Sequence, residues 1–500
     1  MAPRRTAVIM VSVTLLLVAL AAAPLPGAEL AAPSNPRAPQ VAIAITVIAA
    51  IWWIAEAAPL GVTGMLIVVL FSLTGIVKWA DALREFFNPL MWIFIGGFTL
   101  AKAMQVWGLD ERITLTLASL YKGKDPALAA LFFACIPTAL LTVTGSITAA
   151  TAMMYPLVLS LLTVSGFNKG SKYGEGTMLA LGQSASAGAL LLLISTPPNL
   201  IAKAQFESAV PGASLTFSDW LFVGAPHAVL AIVITWLVIF KLFLRPELDD
   251  ISTVFSQLRK RKSELGPISR NEKAVLALIL IALFLWLTSG ITTTLSETQP
   301  TFVPIADAVK DYLPEYAPAV LVLVALFLIP AGDRQLLEFP EFVAGVDWNT
   351  ILMFGGSFVL GFGLTSSGAV GWVVNSIKSI GISLGYTAVF TISAIIAFIV
   401  TYPASNTAAA TVTVPVAVIL SQASGLNPLP AVLAAAIASS ISSALPSTTP
   451  PMAIVYGSGY VKVWDMFKVG MASDLLRLLL LLAIGPPLAQ ALMTLKGIPM

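Results

Sequence analysis

The stretch TYPASNTAAATVTVPV, Thr401 to Val416, decides the fold because the chain carries a second version of it, TVTGSITAATAMMYPL, Thr142 to Leu157. Thr142 and Thr401, Ser146 and Ser405, and Pro156 and Pro415 are each 259 residues apart. Upstream, FIGGFTLA from Phe94 and FGGSFVLG from Phe354 put Gly97 and Gly356 at that same offset. Downstream, STPPNLIA from Ser195 pairs with TTPPMAIV from Thr448, at an offset of 253. Three motifs matched in one order mean two homologous halves. The first repeat is assigned to 40–244, the second to 274–500, and the connector to 245–273.

The motifs sit in an apolar chain. Of 500 residues, 58% are hydrophobic and 10% charged, against roughly 25% charged in soluble proteins. The fold class is therefore an all-α polytopic membrane protein. Apolar stretches recur from 8–24 to 472–494. Several are shorter than the roughly 20 residues of a full span, as broken or re-entrant helices require. The 10-residue alternating strands of a membrane barrel are absent from the sequence. Segment 1–30 has a basic start and an apolar core, and reads as a first transmembrane helix or a signal-like segment. The Arg4–Arg5 end and the basic connector, with Arg259, Lys260, Arg261 and Lys262, are assigned to the cytoplasm. One Cys and one His exclude a disulfide framework and a Cys/His zinc site. Lys plus Arg at 27 against Asp plus Glu at 25 argues against a nucleic-acid partner.

Repeated halves with Gly- and Pro-interrupted hydrophobic segments at matching positions point to a secondary transporter. Each Ser/Thr-rich break ends one helix and starts another. Gly145 and Pro403 interrupt the backbone, and Ser146 and Ser405 are N-cap residues for the Ala/Thr-rich helices that begin there. A helix N-terminus offers free N–H groups and a positive dipole end to an anion, while hydroxyls and unwound carbonyls suit Na⁺. Thr196, Asn199 and Thr449 are further candidates, at the Pro-started helix ends. Lys102 reads as a lysine reaching the interface, Glu56 as a capping carboxylate beside Trp52–Trp53, and His227 as structural. Asp110, Glu111 and Arg112 read as a solvated helix exit.

These residues, with WWIAEAAPLGVTGML from Trp52 and FIGGFTLAKAMQVWGLDERI from Phe94, resemble the divalent anion–sodium symporter family. That family includes sodium–dicarboxylate, citrate and sulfate carriers. The resemblance implies an inverted repeat with about 11 transmembrane helices, discontinuous helices and two re-entrant hairpins, here near 90–107 and 350–369. It also implies a homodimer in the cell membrane, with an elevator motion. Carried over, Ser146, Thr148, Ser405, Asn406, Thr407 and Thr449 would contact the substrate. Thr142, Ser146 and the backbone near Gly188 would serve one sodium; Thr401, Asn406 and the Thr448 backbone would serve the other. The chain departs from the pattern at Ile147, where the family has Asn, at Gly188-Ala189-Leu190, and at Met452, where the first half has Asn199. The expected function is sodium-coupled uptake of a small divalent anion, a C4 dicarboxylate. The alternatives are sodium-independent exchange, a sulfate or citrate carrier, and an intramembrane enzyme built on Ser458 and His227.

Overall fold

The structure is a computed structural model that describes residues 2–55, 57–164, 166–247, 250–379 and 384–498. The chain begins with two leading helices, α1 (Ala2–Ala21) and α2 (Ala38–Ile54). Within the first repeat follow α3 (Leu60–Leu73), α4 (Trp79–Phe86), α5 (Met91–Trp107), α6 (Leu109–Leu120), α7 (Pro126–Thr144), α8 (Ile147–Val164), α9 (Lys172–Gly188), α10 (Pro197–Ala209) and α11 (Phe217–Phe243). After the connector come α12 (Arg270–Thr298) and α13 (Pro300–Tyr312). The second repeat repeats the order: α14 (Ala317–Leu328), α15 (Phe339–Gly345), α16 (Trp348–Ser366), α17 (Ala369–Ser379), α18 (Tyr386–Thr401), α19 (Asn406–Ala423), α20 (Leu429–Ser439), α21 (Pro450–Gly457) and α22 (Val463–Leu495).

Packing is reciprocal between the halves. Helix α3 lies on α16 while α5 lies on α14; α8 lies on α21 while α10 lies on α19; α11 lies on α22. Such exchanged contacts are what a pseudo-two-fold relation produces. Phe94 and Phe354, one from each repeat, pack against each other with ring centroids 4.1 Å apart. Among the described residues, seven helices are long and apolar enough to cross a membrane, or eight if the pair α13–α14, bent by 51°, is one span. Among the further apolar helices of 10–17 residues, those at Ile147–Thr163, Tyr386–Thr401 and Leu429–Ser439 adjoin the breaks.

The hairpins are not where the sequence put them. Segments 90–107 and 350–369 each lie mainly in one continuous helix, α5 and α16. Their glycine pairs are close-approach points rather than breaks. A Cβ on Gly96 would lie 2.6 Å from the Ala319 Cβ, and one on Gly356 would lie 2.2 Å from the Gly64 Cα. Small residues of this kind let membrane helices pack backbone to backbone. The hairpins are instead α7–α8 and α18–α19. In each, two helices pack on each other and meet at one of the Ser/Thr-rich motifs. Helices α9–α10 and α20–α21 are the discontinuous pairs, broken before the two Thr-Pro-Pro motifs.

Two outer parts dock on this frame. Trp52 Nε1 donates to Ser12 Oγ at 2.8 Å and Gln40 Nε2 to the Ala19 carbonyl at 2.6 Å, joining α1 to α2. The basic connector folds back on α6. Arg112 pairs with Glu272 at 2.5 Å, Arg261 with Glu111 at 2.9 Å, and Lys262 donates to Ser119. Glu111 and Arg112 are thus tied to the connector rather than freely solvated.

Candidate functional site

Each hairpin apex is built by the capping chemistry the sequence suggests. Ser405 sits in extended geometry, and its Oγ accepts from the Ala408 N–H at 3.2 Å. Ser146 Oγ accepts from the Ala149 N–H at 3.1 Å. Gly145 turns the first apex with φ 82°, a left-handed conformation that suits glycine. Both serines are half-buried, as are Thr148 and Thr407 in the first turns of α8 and α19.

A threonine then pins each apex to a broken helix. Thr142 Oγ1 lies 2.9 Å from the carbonyl of Gly188, the last residue of α9. Thr401 Oγ1 lies 2.6 Å from the carbonyl of Ser439, the last residue of α20. Gly188 is required for this approach, since a Cβ there would fall 2.4 Å from the Ala139 Cα.

From here the halves differ. In the second, Asn406 Oδ1 lies 3.0 Å from Thr401 Oγ1 and 2.8 Å from Ser442 Oγ, and the two hydroxyls lie 3.4 Å apart. Thr401 and Ser442 carry one hydroxyl hydrogen each. Four oxygens, counting the Ser439 carbonyl, therefore converge with more lone pairs than hydrogens, and a hard cation favours such a set. Asn406 Nδ2 donates to nothing in its buried position, and Ser440 Oγ and Thr449 Oγ1 are likewise buried without a partner. Thr448 Oγ1 donates to the Leu445 carbonyl at 2.7 Å.

In the first half the position of the asparagine is apolar. Ile147 packs against Ala185 and Ala189 as a separate buried group. In the same half, Thr144 Oγ1, Thr196 Oγ1 and Asn199 Oδ1 are buried without a hydrogen-bond partner. Asn199 Nδ2 spans the break, donating to the Ala189 and Leu192 carbonyls at 2.8 and 2.9 Å. Its counterpart Met452 instead packs on Gly182 of α9.

The serine run Ser439-Ser440-Ile441-Ser442-Ser443 is absent from the sequence-based assignment, yet it supplies one wall of the second-half cluster. Its signal is four hydroxyls interrupting the Ala-rich segment after Leu429. Buried charge was missed as well. Lys203 on α10 reaches Glu207 and Glu315 at 2.5 Å each and the Leu215 carbonyl at 3.0 Å. This ties the helix that starts at Thr196 to the α13–α14 connection. Removing the lysine these carboxylates share leaves buried charge uncompensated, at a cost of about 3–5 kcal/mol. Lys203→Met is therefore expected to reduce detergent-stable protein sharply, read by fluorescence-detected size exclusion.

The remaining candidate residues fall outside this centre. Lys102 lies along Gly345 of α15 and faces the Glu341 charge. His227 is buried, with Nδ1 2.7 Å from the Val223 carbonyl one turn back. Glu56 lies outside the described residues. A cavity of about 440 Å³ between α10 and α16 is lined by Gln205, Glu207, Phe358 and Gly361, and a second of about 180 Å³ shares Gln205 and Gly361 with it. Phe358 and Gly361 of the second glycine motif line the larger and Pro415 of α19 the smaller, but no candidate substrate or sodium residue lines either.

Comparison with known proteins adds identity to this geometry. Sodium-dependent dicarboxylate transporters named SdcS, from Staphylococcus saprophyticus and Staphylococcus aureus, are 30% identical over 454 residues, covering 88% of this chain and 84% of theirs. Among solved structures, MtrF of Neisseria gonorrhoeae, described within a class of antimetabolite efflux pumps, matches with TM-score 0.52 at 14% identity, over 84% of each chain. The YdaH transporter of Alcanivorax borkumensis matches with TM-score 0.52 at 12% identity, over 83% of this chain and 87% of that one. These two likenesses concern the fold. The family model described as the sodium:sulfate symporter transmembrane region matches residues 7–495; the chain belongs to that family of multi-pass membrane transporters.

Proposed function

We propose that this protein is a sodium-coupled carrier of small dicarboxylates, such as succinate, rather than an enzyme. The observation that carries the reading is the second-half cluster. Thr401 Oγ1, Asn406 Oδ1, Ser442 Oγ and the Ser439 carbonyl converge as a cation site, and Asn406 Nδ2 is left free to donate to an anion. One asparagine thus offers its oxygen to sodium and its amide to substrate, and each ligand favours the binding of the other. Ser405, Thr407 and Thr449 are assigned to the substrate side, together with Ser146, Thr148 and Thr196 from the first repeat. The names of the staphylococcal relatives support both sodium and dicarboxylate. A homodimer whose hairpins and broken helices move together, as an elevator, accompanies this reading.

Uptake of radiolabelled succinate into proteoliposomes tests it. A sodium gradient is expected to stimulate uptake at least about tenfold over a potassium gradient, with malate competing better than sulfate or citrate. Equal flux in both salts, dependent on internal anion, rejects the reading.

The dry contact of Ile147 with Ala185 and Ala189 favours weakened cation binding in the first half. Its Thr142 and Gly188 oxygens remain, without the amide that Asn406 supplies opposite. Ile147→Asn with Ala189→Ser is expected to raise the Hill coefficient for sodium and lower its half-saturating concentration. An unchanged sodium curve in this variant would show that the first half does not govern coupling.

A further inference from the structure

Of the charged residues on helix α22, Asp474 and Arg477 lie one turn apart and are both buried. Carboxylates and guanidinium groups inside membrane helices are costly and mark function by default. Asp474 accepts three hydrogen bonds from two separate segments. Tyr402 OH donates to Oδ2 at 2.9 Å, the Ser443 N–H to Oδ2 at 2.5 Å, and Ser443 Oγ to Oδ1 at 2.8 Å. Tyr402 follows Thr401 directly, and Ser443 follows Ser442. The carboxylate therefore grips the hairpin apex and the broken helix, each at the residue next to a cluster oxygen.

We propose that Asp474 is a positioning residue for the second-half cation site. It sets the spacing of Thr401 and Ser442 from behind, with Arg477 as its buried counter-charge. Arg477 NH1 lies 3.6 Å from Asp474 Oδ1, and the guanidinium makes no hydrogen bond. Its role in the pair is charge balance, and the negative end of the pair faces the cluster. A fixed negative end beside a buried oxygen cluster favours sodium over an empty site.

The first half supplies an internal control. Between Trp220 and Phe243, α11 contains no Asp or Glu, and the residue after Thr142 is Val143. The half without the brace is the half in which Ile147 stands at the repeat position of Asn406. The brace and the complete oxygen cluster occur together.

The inference rests on the sodium-coupled reading above, and the test separates the two. Purified protein in proteoliposomes is assayed for succinate uptake against sodium concentration. Asp474→Asn/Arg477→Gln removes both charges together, which avoids a lone buried ion, and turns one acceptor of the brace into an NH₂ group facing donors. The half-saturating sodium concentration is expected to rise about tenfold, with succinate KM at saturating sodium within twofold of wild type. Tyr402→Phe removes one strut and leaves the charges; a rise of about threefold is expected. A sodium curve within twofold of wild type for Tyr402→Phe, and for the double variant where it folds, overturns the positioning role while leaving sodium coupling intact. A merely structural role would shift melting temperature and succinate KM together instead, and is equally a refutation. Wild-type uptake that ignores sodium overturns both readings.

Discussion

Asn406→Ala is expected to abolish sodium-driven uptake while leaving a folded, monodisperse protein. The side chain serves two ligands from one buried position. Its Oδ1 closes the cluster with Thr401 and Ser442, and its Nδ2 is the unpaired donor. Truncation leaves two hydroxyls without their shared acceptor and costs about 1–3 kcal/mol at each ligand it touched. Because sodium and substrate binding are linked through that amide, the losses compound. The expected result is a drop on the order of 100-fold or more in uptake at low sodium. Isothermal binding of succinate with and without sodium separates the two losses. Wild-type transport by Asn406→Ala would remove the second-half site from the mechanism.

Gly356→Ala is expected to prevent assembly rather than impair binding. The new Cβ would fall 2.2 Å from the Gly64 Cα and 2.8 Å from its carbonyl oxygen. Both neighbours are backbone, so no rotamer change relieves the contact. The α3–α16 interface is the broad contact by which the leading helix of one repeat seats the other. Parting these helices also disturbs the Gly61 N–H to Asn349 Oδ1 bond at 2.8 Å. Overpacking costs typically about 1–3 kcal/mol and more against rigid partners, which is a large share of any domain's stability. Yield after detergent extraction and melting temperature are the readouts. Gly97→Ala, whose Cβ would meet only the Thr144 carbonyl at 3.8 Å, is the matched control and is expected to fold.

That contrast shows what the sequence could and could not convey. Gly97 and Gly356 occupy the same repeat position, and their pairing helped to reveal the duplication. Their spacing resembles a helix break, but tertiary approach decides what a glycine does. Here Gly96 and Gly356 bring helices together, and α5 and α16 stay continuous. The capped apices were legible because Ser146 and Ser405 act locally, on N–H groups three residues away. The serine run from Ser439 was not, because its role exists only once Thr401 arrives from another helix. Asp474 and Arg477 were in plain view as charges in an apolar segment. Lys203 was equally visible, but its partner Glu315 lies more than a hundred residues downstream, beyond the reach of any local pattern.

The exchanged packing has a consequence for biosynthesis. The amino-terminal repeat leaves the ribosome before the helices it must seat upon have been translated. Apolar faces of α5 and α8 lose little by resting in lipid during that delay. An ammonium group has no such refuge. Glu207, one turn along from Lys203, supplies a neutralising neighbour that is synthesised within the same helix, and Glu315 completes the pairing when the later half is made.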